Sequence, residues 1–183
     1  MQNIVYKSDS IIPWDTQSAF KMTSYKTETE QNMVFCYLKG YVHGGDLVLC
    51  SYCFTENPVG DNNIQIYANL SPENKDKVLQ LNFGFEGISK LTLEGKDVEG
   101  GQGITFHPFK ADDEQGFYWC GEIVISKEAI NTLYGAKLEE GSIFTLNMVQ
   151  SFDNGDFSTL FGDADSEEFS RVENMNVFLV LNY

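Results

Sequence analysis

The stretch from residue 117 to 161 constrains the fold of this chain most. A strand-like segment (117–126) leads through a short helical one to a second apolar run (142–152), then to the loop Asp153-Asn154-Gly155-Asp156-Phe157. In the first run Phe117, Trp119, Ile123 and Ile125 fall on one side of an extended chain, and Tyr118, Cys120, Glu122 and Val124 on the other. That period of two is the signature of a strand. Ser126 stands where a helix N-cap belongs, Ile130, Leu133 and Tyr134 form an apolar stripe, and Gly135 supplies the C-cap.

The rest of the chain follows the same pattern, with strand-like runs separated by turn residues at short intervals. Strands are expected over 19–24, 33–42, 46–54, 64–68, 78–85, 88–93, 104–109, 143–148 and 176–181. His43-Gly44-Gly45 separates two of them as a hairpin turn, because glycine supplies the positive φ that a tight turn needs. Over 78–85 the alternation is clean, with Leu79, Leu81, Phe83 and Phe85 opposed to Gln80, Asn82 and Gly84. Residues 152–161 and the acidic stretch 112–116 read as loops. Regular short strands of this kind predict an all-β fold, a jelly-roll or immunoglobulin-like β-sandwich of about ten strands with one short helix. No linker or low-complexity tract divides the chain, so residues 1–183 are expected to form one domain, with 1–13 as an extended N-terminal segment.

Net charge is −15, which repels phosphate backbones and anionic lipid and so argues against nucleic acid and membrane as partners. No apolar run reaches the roughly 18 residues of a membrane span. The first ten residues lack the apolar core of a signal peptide, which points to the cytoplasm, or to secretion with a targeting segment removed. Cys36, Cys50, Cys53 and Cys120 all lie within apolar runs and read as small core hydrophobes. Cys50 and Cys53 have the spacing of a redox or zinc motif, but residues three apart on a strand face opposite sides and their sulfurs should not converge.

Three stretches carry a family resemblance. Phe117-Tyr-Trp-Cys-Gly-Glu-Ile-Val-Ile125 has a Trp before a Glu and an Ile-rich end; Ile143-Phe-Thr-Leu-Asn-Met-Val-Gln-Ser151 has the form of its partner strand; Asn176-Val-Phe-Leu-Val-Leu181 fits a closing strand. From Trp14 to the C-terminus the chain resembles the family 9-like carbohydrate-binding domains, meaning carbohydrate-binding module family 9 and its uncharacterised bacterial relatives. The resemblance implies a jelly-roll-like sandwich and a sugar-binding ancestor. The chain departs from the pattern where Gln150 replaces an Arg and Ser126 replaces a Pro. With only two Trp, Trp14 and Trp119, an indole sandwich around a sugar requires those two to converge.

Sugar recognition needs a flat aromatic face and groups that hydrogen-bond hydroxyls. Candidate ligand-binding residues are therefore Trp14, Trp119, Glu122, Gln150, Phe152, Asp153, Asn154, Asp156 and Phe157. Each has an ordinary structural alternative: the Asp/Asn/Gly loop as a plain turn, Trp119 as core, Glu122 as a half-buried carboxylate tied to a loop. Asp163, Asp165 and Glu167 alternate as oxygen ligands suited to calcium, but they lack the glycine and distal Glu of an EF-hand loop, and a solvated acidic loop serves equally. No other cofactor is suggested. His43 and His107 have no nucleophile or ligand pattern beside them. The expected function is a non-catalytic, carbohydrate-binding-like domain recognising a neutral saccharide. The alternatives are a sandwich that binds a protein partner instead, and a glycoside hydrolase using two carboxylates distant in sequence.

Overall fold

The computed structural model describes residues 3–26, 36–54, 63–101, 103–114, 116–151, 157–161 and 168–183. Among these residues there are fourteen strands and one α-helix. The strands are β1 (Asn3–Ser8), β2 (Phe20–Lys21), β3 (Ser24–Lys26), β4 (Cys36–His43), β5 (Asp46–Cys53), β6 (Asn63–Asn69), β7 (Leu79–Gly84), β8 (Gly87–Leu93) and β9 (Lys96–Asp97). They continue as β10 (Ile104–Asp113), β11 (Gly116–Ile125), β12 (Ile143–Ser151), β13 (Phe157–Thr159) and β14 (Asn176–Asn182), with helix α1 (Lys127–Tyr134) between β11 and β12.

Hydrogen bonds link them in the order β10-β11-β5-β4-β1-β14-β12-β6-β7-β8-β9, with β2, β3 and β13 attached at the side. The sheet is mixed: β1 runs parallel to both β4 and β14, and the other pairs are antiparallel. It curls until β8 approaches β10, so that its inner face closes on itself as the core of a β-sandwich. Rings bridge that closure. Phe83 lies 5.0 Å from Phe106, and Trp119 meets Phe83 and Phe85 edge-on at 6.4 and 6.1 Å between centroids.

Alternation decides what enters the core. Leu79, Leu81 and Phe83 of β7 are buried, as are Trp119, Ile123 and Ile125 of β11 and Phe144, Leu146 and Met148 of β12. Gly121 occupies the same inner row of β11. A Cβ there would sit 2.7 Å from both the Phe106 and Phe83 rings, so the bare backbone is what admits them. Cys50 and Cys53 fall on opposite sides of β5, as the spacing requires. Cys50 packs outside with Tyr52 and Cys120, and Cys53 packs in the core.

The expected local signals hold. Ser126 Oγ accepts from the Ala129 amide at 3.1 Å, and Gly135 closes α1 at φ 65°. Gly44 and Gly45 form the β4–β5 turn at φ 56° and 101°. Three expectations change. The first strand is β1 rather than 19–24, and it lies between β4 and β14. Within the expected loop 152–161, Phe157–Thr159 forms β13 and pairs with both β12 and β3. Strand β10 continues to Asp113, into the stretch read as an acidic loop.

Two measurements check this packing. Gly121→Ala should lower the urea midpoint with an unchanged slope, by the ~1–3 kcal/mol that overpacking costs; an unchanged midpoint would mean the rings yield freely. Trp119 is wholly buried, whereas Trp14 is half-buried. A Trp14→Phe variant should therefore keep a blue-shifted emission that acrylamide barely quenches, and ready quenching would contradict the burial of Trp119.

Candidate functional site

The outer face of β4, β5, β10 and β11 carries two of the predicted residues, Trp14 and Glu122, and brings them together as a pair. Register places His107, Glu122, Cys50 and Lys39 side by side across the four strands. Trp14 sits in the short 3-10 turn Trp14–Thr16, which lies over this row. Its indole N–H donates to Glu122 Oε2 at 3.3 Å, and Lys39 Nζ donates to its carbonyl at 2.6 Å. The Trp14 ring meets Tyr41 edge-on at 5.1 Å, while Ile12 beside it is buried. Lys39 also lies over Tyr37 and Tyr52, which stack on each other at 4.8 Å. Burial, and after it the Glu122 carboxylate, push the Tyr41 hydroxyl up, so it stays protonated. Glu122 thus has the partner that a half-buried carboxylate needs, and Trp14 acts as a latch over the face.

Trp119 and Gln150 do not join this pair. Trp119 projects from the inner side of β11, so the two indoles lie on opposite faces of one sheet and cannot sandwich a sugar. Gln150 is fully buried, in the row of Ile64 and Phe83, and accepts from Ser158 Oγ at 3.4 Å. Phe157 packs against Phe169 in a small cluster with Tyr67, Val149 and Met175, so its ring is not an open platform. Phe152, Asp153, Asn154, Asp156, Asp163, Asp165 and Glu167 lie outside the described residues. Among the described residues no group of three or more His, Cys, Asp or Glu side chains is placed to hold a metal ion.

A groove of about 820 Å³ lies on the other half of the sheet. Because Leu79, Leu81 and Phe83 point inward, Gln80 and Asn82 point outward. They meet Tyr67 and Gln65 on β6, and Thr92 and Lys90 on β8. Tyr67 Oη donates to Gln65 Oε1 at 2.6 Å; Gln80 Nε2 donates to Tyr67 Oη at 3.4 Å and to Asn82 Oδ1 at 3.0 Å. Burial pushes the Tyr67 hydroxyl up, which keeps it a donor at ordinary pH. Thr92 lines the floor, with a buried Oγ1 that makes no hydrogen bond.

Val78 and Val172 form the apolar wall, and Lys75, Asp76, Glu94, Arg171 and Glu173 stand at the rim. Arg171 is the only arginine in the chain. It pairs with Glu168 at 2.8 Å while its side chain stays 58% exposed, so donors of the guanidinium remain accessible. The substitution at Gln150 is thus not the end of guanidinium chemistry in this molecule.

Sequence reasoning missed these residues. The signal available was the pair Gln80 and Asn82 on the polar side of a cleanly alternating strand. Amides there are neutral hydrogen-bonding groups, where a merely solvated face more often carries charge.

No protein-family model matches the chain, and neither does any curated protein sequence. Solved structures do match it. A family 9 carbohydrate-binding module from Caldicellulosiruptor kristjanssonii, in complex with cellotriose, superposes with a TM-score of 0.69 at 10% identity, over 100% of this chain and 95% of that one. A family 9 module from the same organism in complex with glucose gives 0.70 at 9% identity, over 100% and 97%. A candidate carbohydrate-binding protein from Bacteroides uniformis gives 0.67 at 8% identity, over 98% of each chain. At such identities the likeness is one of fold, and at that level the resemblance read from the strands holds: this chain has the β-sandwich fold of the family 9 carbohydrate-binding modules.

Proposed function

We propose that this protein is a non-catalytic saccharide-binding domain whose ligand lies in the groove of β6, β7 and β8. The observation that carries the reading is the Tyr67–Gln80–Thr92 row beneath a rim that includes Arg171. Side-chain amides and a protonated phenol can each donate to or accept from sugar hydroxyls. Val78 and Val172 offer apolar contact for the C–H face of a pyranose. Support for the class of ligand comes from the shared fold, since the two Caldicellulosiruptor structures were solved with cellotriose and glucose. The ligand is neutral on this reading: Asp76, Glu94 and Glu173 outnumber Lys75 and Arg171 at the rim, on a chain of net charge −15.

Calorimetric titration, with a glycan array to choose the sugar, tests the proposal. Binding at millimolar concentration or below is expected, without release of reducing ends. Absence of binding to every plant, microbial and host glycan at that concentration would sink the reading, and release of reducing ends would favour a hydrolase.

Arg171→Ala should weaken binding ~10- to 100-fold, since hydrogen bonds to a charged group contribute about 1.5–3 kcal/mol. Gln80→Ala should weaken it about fivefold, in keeping with the ~1 kcal/mol of a neutral hydrogen bond. Trp14→Ala should leave affinity unchanged. The opposite ranking would move the site to the Trp14–Glu122 face.

One observation favours a second reading, a protein-interaction domain. On the outer side of the sheet Ile4 of β1, Leu179 of β14 and Ile143 of β12 stand in one row, with Val177 beside them. Ile4, Ile143 and Val177 are 39%, 45% and 40% exposed, an apolar strip of the sort that marks contact surfaces. If the strip mediates self-association, sedimentation equilibrium should show a mass above the monomer that Ile143→Lys returns to monomer. A monomer in both would remove self-association.

A further inference from the structure

Cys36 begins β4 and Cys53 ends β5, so they face each other at the open end of the hairpin whose closed end is Gly44-Gly45. Their Sγ atoms are 3.1 Å apart, and both residues are fully buried in the core. A disulfide needs Sγ atoms at ~2.05 Å and Cβ atoms roughly 3.5–4.5 Å apart. Directly opposed residues of antiparallel strands have Cβ atoms about 4.5–5.5 Å apart, so an adjustment of about 1 Å suffices. Of the other cysteines, Cys50 and Cys120 come within thiol hydrogen-bond reach on the outer face, but they are diagonal neighbours, for Cys50 stands opposite Glu122 and Cys120 opposite Tyr52. The backbones of diagonal neighbours lie about 7–8 Å apart, beyond the Cα separation that a disulfide spans, and Cys50 and Cys53 lie on opposite sides of β5.

We infer that Cys36 and Cys53 form one intramolecular disulfide when the chain meets a small-molecule disulfide oxidant. One cysteine thiolate attacks a sulfur of the oxidant, giving a mixed disulfide and one released thiol. The second cysteine, also losing its proton, attacks the mixed disulfide, closes the Cys36–Cys53 bond and expels the second thiol. Two cysteines give up two electrons and two protons, and the oxidant becomes two thiols.

Burial pushes the Cys53 thiol well above its ordinary range, and the inner face excludes the oxidant. Exchange in the closed fold is therefore slow, and it proceeds through opened states. The bond ties the ends of the β4–β5 hairpin beside Trp119, which stands opposite Cys53 on β11.

The test uses the full chain incubated with oxidised glutathione across a urea series that ends just below the unfolding midpoint. Thiols are counted after denaturation, and peptides are mapped without reduction. Two of the four cysteine thiols should disappear, faster as urea rises, with a mass about 2 Da lower and a linked peptide pair containing Cys36 and Cys53. Cys120→Ser should behave the same, and Cys36→Ser should form no internal bond. Retention of all four thiols throughout the series, glutathione adducts in place of an internal bond, or a bond that joins any other pair would overturn the inference.

Discussion

Burial of the Leu79–Leu81–Phe83 row against Ile64 and Ile66 is the constraint on which the rest of this structure depends. Each such side chain contributes about 1.5–3 kcal/mol when removed from water. A register slip of one residue would expose all three and bury Gln80 and Asn82 in their place, at a further ~1–3 kcal/mol for each unpaired amide. The apolar row therefore fixes more than the core. It commits Gln80, Asn82, Tyr67 and Thr92 to the outer face, where they line one groove.

The two outer faces of the sandwich make different uses of polar and aromatic groups. On the Trp14 face, rings stack on one another and Glu122 and Lys39 both bond to Trp14, so those groups satisfy each other, and the group left unpaired there, His43 Nδ1, is buried. On the groove face Gln80 and Asn82 stay partly exposed and Arg171 keeps accessible donors. A binding surface needs polar capacity that the fold itself does not consume, and the described residues offer more of it in the groove. The latch has a role of its own, because it holds the segment around Ile12 over the outside of β4 and β5.

Much of the architecture was legible in the sequence because it is written locally. Period-two runs, the Gly44-Gly45 turn and the Ser126 and Gly135 caps each depend on a few adjacent residues, and each appears where expected. What was not legible depends on neighbours distant along the chain. The 3–8 segment becomes an interior strand only because β4 and β14 flank it. Phe157–Thr159 reads as a loop until β12 and β3 stand on either side of it. Trp119 and Gln150 carry chemistry suited to sugars, but the side of the sheet they occupy is decided by the curl, and both end inside. Gln80 and Asn82 had the converse fate: each alone looks like ordinary surface, and only the register with Tyr67 and Thr92 makes them a row.

The central claim is that the saccharide site lies in this groove rather than at the indole latch. Amide-resolved NMR of the uniformly 15N-labelled protein during titration with a cello-oligosaccharide tests it most directly. The side-chain amides of Gln80 and Asn82 and the backbone amides around Thr92 and Arg171 should shift in proportion to occupancy, while the Trp14 indole N–H stays fixed. Shifts centred on the Trp14 indole and the backbone around Glu122, with Gln80 and Asn82 unmoved, would contradict it.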